Sequence, residues 1–231
     1  MSRSRSISKF VSSPYWMLNL SLNFIEYRFE PIKAFVISTK AMIEKEQKEL
    51  KLKFNDFEKN RPEGIENYPD AYDIFETEIM NQGEYSKLLY NSMFLTIYST
   101  LEAEFNKICT ICRNAESFKL KYDDLAGGNY LQQSKDYLTK VVDVDLSIVN
   151  EEWKKLKIYQ VLRNSIAHKK GKFITNQKHQ IEFVENTKAI SVEPKTKNIT
   201  IESEEFLNDF IDISVSFLVK ISDSVVKQKK G

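Results

Sequence analysis

The fold this sequence predicts is mainly α, a helical bundle with a small β-hairpin before its C-terminal helix, and three observations point to it. Only six Gly and five Pro occur in 231 residues, too few for the turns of a β-sandwich and well suited to long helices. Apolar residues recur at three- and four-residue steps over long stretches, which places them on one helical face. One pair of short alternating segments, AISV and ITIE, is joined by the turn-forming EPKTKN, the pattern of a hairpin.

The elements follow in chain order. Residues 31–59 are highly charged and helical in composition, with an irregular stripe of Ile32, Phe35, Ile43, Leu50, Phe54 and Phe57, and predict a projecting or packed helix. RPEGIENYP, residues 61–69, breaks it with Pro, Gly and Asn. Beyond Gly83 comes the clearest period of the chain, Tyr90, Phe94, Ile97, Leu101, Phe105, Ile108 and Cys112, which predicts a core helix. DDLAGGNY interrupts it. Residues 130–142 then read as a shorter helix and 143–147 as a loop with capping residues.

A second core helix is predicted from about Ile148, with Trp153, Leu156, Tyr159, Leu162 and Ile166 in register. It should end near Gly171, where a left-handed cap is sterically free. After the hairpin, Ser203 can cap a last helix whose stripe Phe206, Phe210, Ile213, Phe217, Ile221 and Val225 closes the core. The KQKKG tail is expected to fray. The chain thus divides into a helical extension over residues 1–80 and a main helical domain over 81–231.

At 42% hydrophobic and 12% aromatic residues, the chain can bury one large core. Lys plus Arg total 34 against 33 for Asp plus Glu, so it lacks the positive excess of a protein that coats nucleic acid, and any RNA contact must be local. Cys109 and Cys112 stand three apart on a predicted helix, unlike a disulfide framework, and suit a reducing, cytoplasmic compartment. The basic opening MSRSRSISKF is followed by no small-residue cleavage site, so no signal peptide is expected. IDISVSFLVKIS, interrupted by Asp and Lys, is too short to span a bilayer. With two His in the whole chain and no second Cys pair, core packing is the reading for the cysteines and no metal site or cofactor is expected. His179 reads as a surface residue.

The most distinctive local feature is LRNSIAHKKGK, where Arg163, His168, Lys169, Lys170 and Lys172 gather at the end of an otherwise apolar helix. Five residues at ~100° each put Arg163 and His168 ~140° apart and ~7.5 Å along a regular helix, flanking a site rather than touching. A guanidinium grips phosphate with a bidentate fork, and an imidazole near a helix C-terminus can give or take a proton near neutral pH. Those groups suit attack of a ribose 2′-hydroxyl on its neighbouring phosphorus, with His168 as acid or base, Arg163 holding the charge of the pentacoordinate phosphate and the lysines positioning the backbone. Asn164 could orient the substrate or His168. Glu102 or Glu104, on the preceding core helix, could reach Arg163.

An Arg, four intervening residues and a His, with a polar residue directly after the Arg, resembles the R-x4-6-H motif of the HEPN superfamily, here RNSIAH near a helix end. The order of elements over residues 84–226 is also similar to that family: a core helix, a loop, the motif helix, a hairpin and a closing helix. The resemblance implies a helical bundle, commonly homodimeric, whose two motifs face each other across a groove and cleave RNA without metal. Many such proteins are toxins of toxin–antitoxin pairs or anti-phage effectors. By position it makes Arg163 and His168 catalytic and Asn164 the polar residue beside them, with RNA, a second copy and a cognate antitoxin or defence partner as partners; Lys169, Lys170 and Lys172, read from the charge cluster itself, are the RNA-binding residues. The main alternative is the same fold with an inactive site, serving as a binding or regulatory module; a third is an antitoxin-like or scaffolding helical protein in which RNSIAH is coincidental.

Overall fold

The computed structural model describes residues 14–229 other than 66, 128 and 188, with the backbone alone at Leu22. The basic MSRSRSISKF stretch and the last two residues of the KQKKG tail lie outside the described residues. Among those described, six α-helices and one two-stranded antiparallel hairpin form a mainly α fold. None of these helices is long and apolar enough to cross a membrane.

Helix α1 spans Trp16–Lys59, beginning well before the 31–59 segment read as helical. Pro31 lies inside it. Proline removes its own N–H from the ladder and its ring crowds the carbonyl one turn back, and Pro31 is exposed. The inner stripe of Leu18, Ile25, Phe29 and Val36 stays buried on both sides of it, so tertiary packing outweighs the local break. Ion pairs from Arg28 to Glu104, Lys33 to Asp212 and Lys40 to Glu204 fasten α1 along its two neighbours.

Helix α2, Ala71–Ala115, also starts earlier than its apolar period announces. Asp70 and Asp73 form a reciprocal capping box, which satisfies two orphan donors of the first turn. Phe75 departs from helical geometry (φ −106°, ψ 15°), and residue 80 falls inside the helix. Gly83 is tolerated in mid-helix with nothing within 4 Å of where a Cβ would sit. The expected stripe from Tyr90 to Cys112 is buried throughout. Helix α3, Tyr130–Lys140, is capped by Asn129, and a 3-10 turn at Ser147–Val149 leads into α4, Asn150–His168.

Helix α5, Lys178–Asn186, was not anticipated. It buries only Gln180 and Val184, too few positions to produce a period. The hairpin of β1 (Ile190–Val192) and β2 (Ile199–Ile201) pairs Ile190 with Ile201 and Val192 with Ile199. Helix α6, Glu204–Gln228, closes the bundle. Ser203 occupies its N-cap position, yet its side chain makes no cap hydrogen bond. Glu204 and Glu205 in the first turn face the positive end of the dipole instead.

The centre of the core is aromatic. Phe210 of α6 stacks on Tyr159 of α4 with centroids 4.3 Å apart and lies 5.2 Å from Phe94 of α2. Trp153 stacks on Phe217 further along the same helix pair. The ends of α4 and α6 are joined by Lys220, which reaches Glu152.

Candidate functional site: the Arg163–His168 cluster

The motif occupies the last two turns of α4. Leu162 and Ser165 turn inward and are buried, Arg163 and Asn164 are half-buried at the flank, and Ala167 to Lys170 are exposed. Local chemistry ends the helix here. The backbone N–H groups of Lys169 and Gly171 both donate to the Ser165 carbonyl, at 3.1 and 2.9 Å. Lys170 (φ 53°) and Gly171 (φ 79°) are both left-handed, so the expected cap is a two-residue reversal rather than one glycine. The chain then pairs with the hairpin: Gly171 O accepts from Ile199 N–H and Phe173 N–H donates to Lys197 O, each at 2.8 Å. Lys172 faces Asn198 in an isolated bridge. The hairpin therefore anchors the segment leaving the motif.

One expectation is corrected. Arg163 and His168 do not stand apart, because Arg163 Nη1 lies 2.9 Å from His168 Nε2. The wheel angle places Cβ atoms, whereas the four-atom stem of an arginine can sweep around the last turn. Arg163 Nη1 also donates to Asn164 Oδ1 at 3.1 Å. A guanidinium has only donors, so the short contact requires His168 Nε2 to be the acceptor, with the ring proton on Nδ1. The structure thus brings the three residues together, with the imidazole lone pair held by the guanidinium.

Two neighbours beneath them matter. The Arg163 guanidinium carbon sits 5.6 Å from the centroid of the Tyr98 ring, a cation–π distance. Tyr98 is itself buried, and burial, followed by the nearby Glu102 carboxylate, pushes its hydroxyl pKa up while Arg163 draws it down. Burial likewise raises the Glu102 carboxyl above its ordinary 4.5, and the Arg163 charge opposes that rise. Glu102 is therefore the acid beside Arg163. Glu104, the other candidate, pairs with Arg28 on α1 instead. Tyr98 as the seat of Arg163 was not anticipated; it directly follows Ile97 at the margin of the apolar stripe, and a ring with a polar end at such a margin is the available signal.

Lys169, Lys170 and Lys172 are exposed around the end of the helix, and no side-chain hydrogen bond or ion pair engages them among the described residues. His179 is exposed on α5. Cys109 and Cys112 are buried and free. Burial, above all, pushes the Cys112 thiol up to about 12 and Cys109 higher still, so both behave as inert core side chains. Among the described residues no group of three or more His, Cys, Asp or Glu is placed to hold a metal ion. Comparison with protein-family models, with curated proteins and with solved structures gave no match to this chain.

Proposed function

We propose that the chain is an endoribonuclease of HEPN type that cleaves RNA without metal, with His168 as the proton-transfer group and Arg163 as the phosphate-binding group. The observation that carries this reading is the 2.9 Å contact between Arg163 Nη1 and His168 Nε2, with Asn164 Oδ1 on the same guanidinium. A base and a phosphate-binding cation then occupy the same few ångströms. An RNA phosphate arriving at Arg163 competes for its donors and frees the imidazole lone pair.

His168 Nε2 takes the proton of the ribose 2′-hydroxyl, and the 2′-oxygen forms its bond to phosphorus. The bond from phosphorus to the 5′-oxygen breaks, and that oxygen takes a proton from solvent water, while the proton held on His168 returns to solvent. The products are a 2′,3′-cyclic phosphate and a 5′-hydroxyl. Proton transfer contributes roughly 10²–10⁴-fold and the fixed guanidinium adds charge stabilisation. Asn164 steadies Arg163, and Lys169, Lys170 and Lys172 hold flanking phosphates.

The biological setting follows from the family resemblance: a cytoplasmic toxin or anti-phage effector that works as a homodimer with facing motifs, held in check by a cognate antitoxin or defence partner. A second reading, an inactive binding or regulatory module on the same fold, is favoured by one observation: Arg163 Nη1 is already engaged by its own neighbours, Asn164 and His168. Expression of the chain separates the two. Growth arrest with RNA fragmentation, lost in His168→Ala, supports the nuclease; equal growth of both strains with intact RNA supports the module.

A further inference from the structure

We propose that the outer face of α1 docks a second copy of this chain, antiparallel to the first, about a two-fold axis near residue 29. Met17, Leu20, Phe24, Tyr27, Phe35 and Met42 are all exposed, from 44% at Leu20 to 74% at Tyr27. At ~100° per residue they fall within an arc of ~80°, on the side of α1 away from its buried stripe. Pro31 and Ser38 complete this arc and carry no charge. Arg28, at its margin, is neutralised by Glu104. The uncharged band ends after Met42, where Lys45 and Glu49 take over the same arc. Six large apolar side chains in one uncharged seam mark an interaction surface.

The order of residues along the seam says what covers it. Met17 and Met42 are equidistant from the point between residues 29 and 30, and so are Phe24 and Phe35. Leu20 with Ser38, and Tyr27 with Pro31, are symmetric about residue 29. A contact across a two-fold axis must be self-complementary, each residue meeting its mirror in the other copy. Antiparallel pairing here sets Met17 against Met42 of the second copy and Phe24 against Phe35, with no charge facing its like.

The size is sufficient. At roughly 150–250 Å² for a large side chain, these exposures amount to about 600 Å² of apolar surface per copy, or about 1,200 Å² across the pair, the lower end of a stable interface. On α2, Glu104 meets α1 through Arg28 while Glu102 lies beside Arg163, and those two positions are ~160° apart around the helix. The α1 contact therefore leaves the motifs outward and is separate from any contact between them. It does not depend on the nuclease reading.

Sedimentation velocity of the full chain across the micromolar range tests the proposal. Self-association is expected, and Phe24→Lys or Phe35→Lys should each weaken it at least roughly thirty-fold, the scale of losing one interface hot spot. Helical circular dichroism should not change, because both rings already face solvent. Register is read by oxidation: a mixture of Phe24→Cys and Phe35→Cys proteins should give a covalent dimer that neither variant gives alone, with Cys109 and Cys112 buried and out of reach. A monomer at every concentration, an assembly indifferent to both lysine substitutions, or cross-linking of either cysteine variant with itself overturns the proposal.

Discussion

Replacing Phe210 by Ala removes the ring on which three helices converge. Phe210 is fully buried, stacked on Tyr159 at 4.3 Å, 5.2 Å from Phe94 and 6.2 Å from Tyr98. Burying a side chain of this size is worth about 2 kcal/mol of transfer free energy. A residual cavity on the order of 100 Å³ adds about 2.4 kcal/mol at ~24 cal/mol per Å³. The expected loss is therefore about 4 kcal/mol, a large share of the 5–15 kcal/mol that holds a typical protein folded. With a urea m-value of about 2–3 kcal/mol per M, the midpoint should fall by about 1.5 M at unchanged m. Ile174→Ala, at an exposed position, should stay within about 0.5 kcal/mol. Because Tyr98 seats Arg163, near-ultraviolet circular dichroism and RNA cleavage should both weaken before the global transition. A midpoint shift below about 0.5 M would refute the claim that this aromatic centre joins the motif helix to the bundle.

Three other outcomes follow from particular contacts. Gly171→Ala meets no atom within 4 Å but must adopt φ 79°, so a thermal melt should show a loss of about 1–2 kcal/mol from backbone strain alone. The carboxyl of Glu204 is held below its ordinary 4.5, chiefly by the hydrogen bond from Lys40; a depressed carboxyl stabilises the fold above the unfolded pKa and loses that contribution as pH falls through the folded one. Glu204→Gln should therefore lower the urea midpoint at pH 7, and the gap to wild type should close as the pH drops below about 4.5. Arg163→Lys keeps the charge but loses the planar fork, so cleavage of labelled RNA should fall at least roughly ten-fold with the melting temperature little changed.

The legible parts of the fold were those that bury a continuous stripe. Tyr90 to Cys112, Leu156 to Leu162 and Phe206 to Val225 repeat at helical steps because one face of each helix is covered along its length. The hairpin was legible because Ile190, Ile199 and Ile201 alternate with polar residues around EPKTKN. The first half of α1 was not, because Pro31 and the interspersed Asn and Ser disguise an inner stripe that only its neighbours reveal. Helix α5 was hidden by burying two residues alone. At the site, residue identities and the left-handed exit at Gly171 could be read from the sequence. The contact between Arg163 and His168 could not, since it depends on the side-chain torsions of a long arginine and not on the positions of Cβ atoms. Glu102 could be read only as one of two acids able to reach Arg163, and Tyr98 approaches from the same distant stretch of chain, marked by nothing more than a polar-ended ring at the margin of the apolar stripe.

In the function proposed, His168 and Arg163 cleave RNA through its own 2′-hydroxyl. The most direct measurement incubates purified protein in EDTA with end-labelled RNA, and with the same RNA carrying a 2′-deoxy substitution at each cut site, beside His168→Ala. Cleavage in EDTA to a 2′,3′-cyclic phosphate is expected, with none at the deoxy positions, no cutting of DNA, and nearly complete loss in a folded His168→Ala protein. Cleavage that needs added Mg²⁺, that proceeds without the 2′-hydroxyl, or that survives in His168→Ala would contradict it.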